Sequence, residues 1–203
     1  MLGIGRMKAL FARTSYGYEV VHKVRGRNTV WVKRRADVLN FVRPGGVGVE
    51  LGVAAGDFSR QLLTRPVLSK LYGVDRYFGD RGHDDGEYAK AQRQTAEFAD
   101  RYSLLKQTFD EALTTFADGS LDFIYIDGYA HTGQEGGETI RQWARKVRPG
   151  GLISGDDFSI TFPLVMQEVD RFVADNALNL NILLFKDTDG WSSQHPSWFC
   201  VKP

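Results

Sequence analysis

Three acidic residues and a histidine follow two strand-like segments in the second half of the chain. Asp127 comes directly after the apolar run Phe123–Ile126, and His131 follows it closely. Asp156 and Asp157 come directly after a later apolar run. Neighbouring parallel strands lie about 4.8 Å apart, so we expect the ends of these two segments to converge. Carboxylates crowded in this way repel one another unless a cation or a proton lies between them.

Two kinds of chemistry fit these residues. Carboxylate oxygens suit Mg²⁺ or Ca²⁺, so Asp127, Asp156 and Asp157 form a candidate metal site. Their structural alternatives are a helix cap for Asp127 and hydrogen bonds to loop N–H groups for the other two. Histidine titrates near neutral pH, which suits a general base, so His131 and Asp127 are the catalytic candidates. A lone loop histidine is more often only a surface residue.

A second candidate site lies in the first half of the chain. The segment Val47–Ser59 is typical of a buried strand, a glycine-containing turn and the start of a helix. Gly52 and Gly56 permit a positive φ or a close backbone approach. The turn directs backbone N–H groups and a helix N-terminus toward a ligand. Glu50 places a carboxylate at the strand end where α/β proteins bind ligands, so we expect a nucleotide-like cofactor.

The spacing of these residues distinguishes two cofactors. Asp75 ends the next strand, 19 positions after Gly56. A carboxylate there accepts hydrogen bonds from ribose hydroxyls, or merely caps the following loop. Both NAD and S-adenosylmethionine (SAM) fit this much. The chain lacks the G-x-G-x-x-G triplet that holds a pyrophosphate. Glu50 would repel a pyrophosphate but suits the cationic aminoacyl end of SAM, so the charge favours SAM.

The elements that position these residues alternate between strand and helix from residue 47 onward. This alternation is typical of a parallel sheet with crossover helices. The strand candidates are Val47–Leu51, Lys70–Val74, Ser103–Lys106, Leu121–Ile126, Leu152–Ser154, Leu180–Phe185 and Ser197–Val201. The helix candidates are Phe58–Leu63, Glu87–Ala99, Glu111–Phe116, Glu135–Lys146 and Pro163–Asn176. The last two strands are joined by too short a segment for a crossover helix, so we expect them to pair antiparallel.

The N-terminal region has a weaker pattern. Residues 1–43 are expected to form an extension that caps the substrate side, and residues 44–203 form the main domain. Short strands are predicted at Tyr18–Val21 and Thr29–Val32, and a short helix is predicted at Arg35–Phe41. The basic segment Lys23–Arg35 is interpreted as a solvated face, with an acidic substrate or a phosphate as the alternative contact.

Composition limits the function classes. The 203 residues carry a net charge of +1, which does not favour nucleic acid or an anionic membrane as a partner. No apolar run approaches the ~20 residues of a membrane span, and the first residues do not form a signal peptide. Cys200 is the single cysteine and is expected to be a small buried hydrophobe. We therefore expect a cytoplasmic protein.

The motifs together resemble those of class I SAM-dependent methyltransferases. Glu50–Gly56 resembles the first motif of that family, with Ala54 where many members have glycine. Leu71–Asp75 resembles the second, ribose-binding motif, and Leu104–Ala112 resembles the segment that flanks the adenine. The resemblance implies a Rossmann-like, three-layer α/β/α fold with a seven-stranded, mostly parallel sheet and an antiparallel last strand. The cofactor-binding residues that it implies are Glu50, Gly52, Ala54, Gly56, Asp75, Thr108, Phe109 and Asp127.

The later motifs resemble those of small-molecule O-methyltransferases. The Asp156-Asp157 pair is similar to the acidic pair of metal-dependent catechol and sugar O-methyltransferases, which also use one Asp after the fourth strand. The chain departs from these patterns at His131, which comes one residue late, and at Tyr129, where sugar enzymes often have Asp. The resemblance implies methyl transfer from SAM to a hydroxyl oxygen of a small metabolite such as a sugar, assisted by Mg²⁺.

Two alternatives from other classes accompany this hypothesis. One is an NAD-dependent oxidoreductase on a similar sheet, which the glycine spacing disfavours. The other is a non-catalytic SAM-binding module, which the complete set of motif residues disfavours. The expected partner is a small hydroxylated acceptor, with neither nucleic acid nor membrane, and the sequence leaves open whether the chain forms a homo-oligomer.

Overall fold

One mixed sheet of eight strands forms the centre of the computed structural model, which describes residues 15–79, 82–128, 135–186 and 195–203. The strand order is β1-β7-β8-β6-β5-β2-β3-β4, and only β8 runs antiparallel to its neighbours. The strands are β1 Asn28–Val32, β2 Gly46–Leu51, β3 Leu68–Asp75, β4 Tyr102–Lys106, β5 Leu121–Ile126, β6 Val147–Gly155, β7 Asn181–Phe185 and β8 Ser197–Val201.

The predicted fold class is confirmed, with one strand more than expected. The seven predicted strands correspond to β2–β8, and β7 and β8 pair antiparallel as expected. The additional strand is β1, which pairs in parallel with β7 at the edge of the sheet. The predicted short strand Thr29–Val32 is therefore part of the main sheet.

Helices cover both faces of the sheet. The α-helices are α1 Ser15–Val24, α2 Asp57–Leu63, α3 Asp85–Thr95, α4 Phe109–Ala112, α5 Glu138–Lys146 and α6 Pro163–Asp175. In the part of the chain that the structure describes, 3-10 helices span Arg35–Phe41, Ala96–Phe98 and Leu113–Thr115. One core lies between the sheet and helices α1, α4, α5 and α6, and the other between the sheet and α2 with the first 3-10 helix. The fold therefore has three layers, with the sheet between two layers of helices.

The central strand β5 shows how the sequence builds both cores. Successive side chains of a strand point to opposite faces of the sheet. Ile124 and Ile126 therefore pack into one core, whereas Phe123 and Tyr125 pack into the other. All four are buried, which explains why the strand is a continuous apolar run rather than an alternating one. Trp143 on α5 is also fully buried and packs into the first of these cores.

The predicted strand Tyr18–Val21 is wrong, because this segment lies within helix α1. Tyr18 and His22 are both buried and stand four residues apart, so they share one helix face. The β-branched pair Val20-Val21 favoured a strand locally, but the packing of that face against the sheet determines the structure. The short helix predicted at Arg35–Phe41 is present as a 3-10 helix.

Two further expectations concern single features. Cys200 lies in β8 and is fully buried, as expected. Within the described ranges, no helix is both long enough and apolar enough to cross a membrane.

Candidate active site

The turn between β2 and α2 has the left-handed backbone that its glycines predicted. Gly52 has a φ of +89° and Gly56 a φ of +87°. Gly56 is the N-cap of α2, so the turn leads directly into a helix N-terminus. The backbone N–H groups of this short helix extend the polar surface of the turn.

Side chains from β3 and its flanking loop brace this turn. The carboxylate of Asp75 accepts hydrogen bonds from the backbone N–H groups of Val53 and Ala54, both at 3.0 Å. The hydroxyl of Tyr77 donates to the Ala54 carbonyl at 2.8 Å, and Gln94 of α3 donates to the Ala55 carbonyl at 3.1 Å. Asp75 thus binds the backbone of the glycine turn, and it also accepts a longer hydrogen bond from the Tyr77 N–H at 3.4 Å, in the loop that it was expected to cap as the alternative. Its contact with a ribose stays a prediction.

Ala54 has a strained backbone in this turn. Its φ of +48° lies in the left-handed region, where a Cβ costs about 1 kcal/mol. The resemblance placed Ala54 where many methyltransferases have glycine, and the backbone shows why glycine suits this position.

Replacing Ala54 with glycine is expected to raise the free energy of unfolding by up to about 1 kcal/mol, because relief of strain exceeds the added entropy of the unfolded chain. Urea unfolding measures the change. Ala55→Gly is the matched control, since Ala55 has no positive φ, and it should lose stability. Equal losses for both variants would contradict the strain at Ala54.

Gly52 joins the turn to the end of β5. A Cβ at Gly52 would lie 1.6 Å from the backbone carbonyl oxygen of Asp127. The Asp127 N–H also donates to the Leu51 carbonyl at 2.7 Å. The predicted cofactor turn is therefore adjacent to Asp127, which the resemblance implied as a cofactor-binding residue.

Glu50 lies beneath the turn in a buried polar cluster. It is 1% exposed, and the Ser59 hydroxyl donates a short hydrogen bond to its carboxylate. The Tyr102 hydroxyl lies 3.1 Å from the Ser59 hydroxyl. Gly73, opposite Glu50 on β3, leaves the space for this hydroxyl, since a Cβ there would lie 2.2 Å from it. Burial raises the pKa of Glu50 to about 8, although the hydrogen bond from Ser59 opposes the rise.

The segment after β4 lies beside the same region. Thr108 is the N-cap of α4, and its hydroxyl accepts a hydrogen bond from the Glu111 N–H at 3.2 Å. Phe109 packs against Gly128, where a Cβ would lie 2.4 Å from the phenyl ring. Phe109 therefore lies close to the end of β5, and the contact of Thr108 and Phe109 with a cofactor stays a prediction.

A buried arginine joins the carboxylates at the ends of β5 and β6. Arg35, the first residue of the 3-10 helix, is 6% exposed. Its Nη1 donates to Asp127 Oδ2 at 2.8 Å and to Asp156 Oδ2 through a shorter hydrogen bond. Its guanidinium carbon lies 3.8 Å from the centroid of the Phe58 ring. The predicted convergence of Asp127 and Asp156 is confirmed, and the positive charge between them is the guanidinium of Arg35.

Asp156 belongs to a hydrogen-bond chain that continues into β8. The Ser197 hydroxyl donates to Asp156 Oδ1 at 3.0 Å, and the Tyr125 hydroxyl lies 2.6 Å from the Ser197 hydroxyl. Burial raises the pKa of Asp156, and the charge of Arg35 opposes this rise. Asp156 is 9% exposed, so it is positioned mainly by groups of the protein itself.

The other two members of the predicted site are Asp157 and His131. Asp157 is half-buried with a φ of +60°, a left-handed conformation that Asp tolerates better than most residues. His131 lies outside the described residues. Among the described residues, no three His, Cys, Asp or Glu side chains form a group that could hold a metal ion.

The interpretation of Lys23–Arg35 as a solvated face is wrong for Arg35. Its partners lie 92 and 121 residues away in the sequence, so no local pattern indicates that it is buried. The one sequence signal for a buried cation was the excess of carboxylates at the ends of two adjacent strands, because such carboxylates require a compensating positive charge.

The fold and the turn define a Rossmann-like methyltransferase architecture, and comparison with known families agrees. A methyltransferase-domain family matches residues 49–158, more than half of the chain. The chain therefore belongs to this family of class I SAM-dependent methyltransferases, as its motifs predicted. Comparison with curated protein sequences found no match.

Solved structures with the same fold act on different substrates. A precorrin 8w decarboxylase from Methanobacterium thermoautotrophicum is 19% identical, with a TM-score of 0.59, over 82% of this chain and 87% of that one. A SAM-dependent O-methyltransferase from Thermotoga maritima is 13% identical, with a TM-score of 0.58, over 82% of this chain and 62% of that one. An rRNA methylase from Streptococcus thermophilus is 13% identical, with a TM-score of 0.58, over 84% and 98%. These similarities show the fold.

Proposed function

We propose that this chain transfers the methyl group of SAM to a hydroxyl oxygen of a small metabolite, with sugars as the first class to test. The observation that carries the proposal is the contact between the glycine turn and the end of β5. Gly52 lies against the backbone of Asp127, so a cofactor on the turn would meet an acceptor held at Asp127. Cofactor and acceptor residues then share one edge of the sheet.

The residues of the turn suit SAM better than a dinucleotide. Gly52 and Gly56 expose backbone, and Asp75 follows at the end of the adjacent strand. Glu50 lies beneath the turn with its pKa raised to about 8, so a cationic ligand on the turn would favour its ionised form, whereas a pyrophosphate would oppose that ionisation. These groups, with Thr108 and Phe109, would hold the donor. When bound, SAM supplies a methyl group already activated by its sulfonium.

The acceptor side suits a neutral hydroxylated molecule. Asp127 is 29% exposed at its side chain, and a carboxylate accepts hydrogen bonds from hydroxyl groups. Its hydrogen bond with Arg35 holds the carboxylate in place, where it can orient an acceptor hydroxyl. The protein then mainly aligns the acceptor and removes its proton, with His131 or Asp127 as the base.

The predicted magnesium site does not fit the described residues. Mg²⁺ requires near-octahedral oxygen ligands, and two of the three proposed carboxylates already bind Arg35. We therefore assign no step of the transfer to a metal ion.

The acceptor class distinguishes this proposal from RNA methylation. The structural neighbours include rRNA methylases, but the net charge of +1 gives this chain no general attraction to nucleic acid. We therefore propose a small-molecule partner, without nucleic acid or membrane, in the cytoplasm.

A methyl-transfer assay tests this proposal. With methyl-labelled SAM, we expect label in at least one sugar or other hydroxylated metabolite, on an oxygen identified by NMR, and none in ribosomal RNA. Asp127→Asn should lower kcat at least ~100-fold, because it removes the carboxylate that orients the hydroxyl. Label that appears only in RNA, or on carbon or nitrogen, would contradict the proposal.

A further inference from the structure

The buried Arg35 is held in place by its own segment rather than by the site that it enters. It begins the 3-10 helix between β1 and β2, whose Val38 and Leu39 are fully buried in the core. Asp37 caps the same helix by accepting from the Arg34 N–H at 2.9 Å. The first residue of the helix is therefore fixed at the sheet edge.

The contacts of Arg35 satisfy the two carboxylates as a bound cation would. One nitrogen, Nη1, donates to both Asp127 and Asp156. The second oxygen of Asp156 accepts from Ser197, so both of its oxygens are hydrogen-bonded within the protein. The ring of Phe58 covers the guanidinium at 3.8 Å, which excludes water from that side.

Two carboxylates that meet at a buried edge require a positive charge. A divalent cation would supply it by taking several oxygen ligands, and the hydrated ion would need room. Arginine supplies the same charge in a planar, weakly hydrated form that binds two acceptors at once. Magnesium could enter this pair only after displacing a buried and fully charged side chain.

We infer that Arg35 takes the place of a divalent cation between Asp127 and Asp156, so that the site works without a metal ion. Arg35 is then a positioning residue that fixes the orientation of Asp127 toward the acceptor. The metal part of this inference is independent of the acceptor, whereas the positioning part rests on the proposed function.

Titration with Mn²⁺, followed by electron paramagnetic resonance of the free ion, tests the metal part. The full-length wild type should bind Mn²⁺ no more tightly than Asp156→Asn does. Arg35→Ala should bind about one equivalent at least tenfold more tightly than the wild type, because it frees two carboxylates. Arg35→Lys keeps the charge and should behave like the wild type. Arg65→Ala is the matched control. Arg65 pairs with Asp37, which lies on the same 3-10 helix as Arg35, and the variant leaves Asp127 and Asp156 paired with Arg35.

Three results would overturn the metal part. One is tight binding of Mn²⁺ to the wild type that Asp156→Asn abolishes. The second is a folded Arg35→Ala variant that binds no more Mn²⁺ than the wild type. The third is a gain of Mn²⁺ binding in the Arg65→Ala control. If Arg35→Ala does not fold, Mn²⁺ titration of the wild type, Arg35→Lys and Asp156→Asn still shows whether Arg35 or a metal ion lies between the two carboxylates.

The methyl-transfer assay tests the positioning part. EDTA should leave wild-type transfer unchanged, and Mg²⁺ should restore part of the transfer lost in Arg35→Ala. Arg35→Lys should lower kcat at least tenfold while the Kd of S-adenosylhomocysteine changes less than twofold. Inhibition of the wild type by EDTA would overturn the positioning part, and so would an Arg35→Lys variant with the kcat of the wild type. A confirmed Mn²⁺ pattern without any transfer would instead count against the proposed function.

Discussion

Replacing Gly52 with alanine is expected to abolish SAM binding and to lower the free energy of unfolding by more than about 3 kcal/mol. The new methyl carbon would lie 1.6 Å from the Asp127 carbonyl oxygen, so the turn and β5 would have to separate. The φ of +89° adds strain for any residue with a Cβ. Urea unfolding and calorimetry with S-adenosylhomocysteine measure the two effects.

Gly119 supplies the matched control for this variant. It has a φ of +71°, and a Cβ there would meet no atom within 4 Å. Gly119→Ala should therefore cost only the backbone strain, about 1 kcal/mol, and should bind S-adenosylhomocysteine normally. If Gly52→Ala bound the cofactor as tightly as Gly119→Ala, the turn could not be the cofactor site.

The Glu50→Gln variant is expected to be more stable than the wild type at pH 9, by up to about 5 kcal/mol, in the absence of cofactor. The folded chain holds a proton on Glu50 up to a pKa of about 8, whereas the unfolded chain releases it near 4.5. The stability of the wild type therefore falls as the pH rises through this interval, and glutamine removes the fall. Near pH 4.5 the two proteins should differ by less than about 1 kcal/mol.

Urea unfolding at several pH values measures this difference. Glu97→Gln is the control, since Glu97 is 57% exposed at its side chain and pairs with Arg60 on the surface. It should change stability by less than about 0.5 kcal/mol at every pH. If the Glu50→Gln and wild-type stabilities changed in parallel between pH 5 and 9, Glu50 would not be a protonated acid beneath the turn.

The sheet could be predicted from the sequence because its pattern is local. Strands buried on both faces are continuous apolar runs, as in Phe123–Ile126, and glycine and proline mark their ends. The turn was predictable for the same reason, since Gly52 and Gly56 occupy the positions with a positive φ. The motif residues lie within a few positions of these strand ends.

The site partners could not be predicted in this way because they are distant in the sequence. Arg35 stands in a basic segment whose charge pattern is typical of a solvated surface, and only the folded sheet brings it to Asp127 and Asp156. Helix α1 was missed because its packing against the sheet overrides the β-branched Val20-Val21 pair. The contact of Asp75 with the turn likewise depends on the register of β2 and β3.

Calorimetry with S-adenosylhomocysteine on the purified wild-type chain tests the central claim most directly. We predict one binding site per chain with a Kd in the micromolar range, and at least tenfold weaker binding to Asp75→Ala. NADH, added under the same conditions, should give no heat of binding and no change in its fluorescence. Binding of NADH without binding of SAM or S-adenosylhomocysteine would contradict the account.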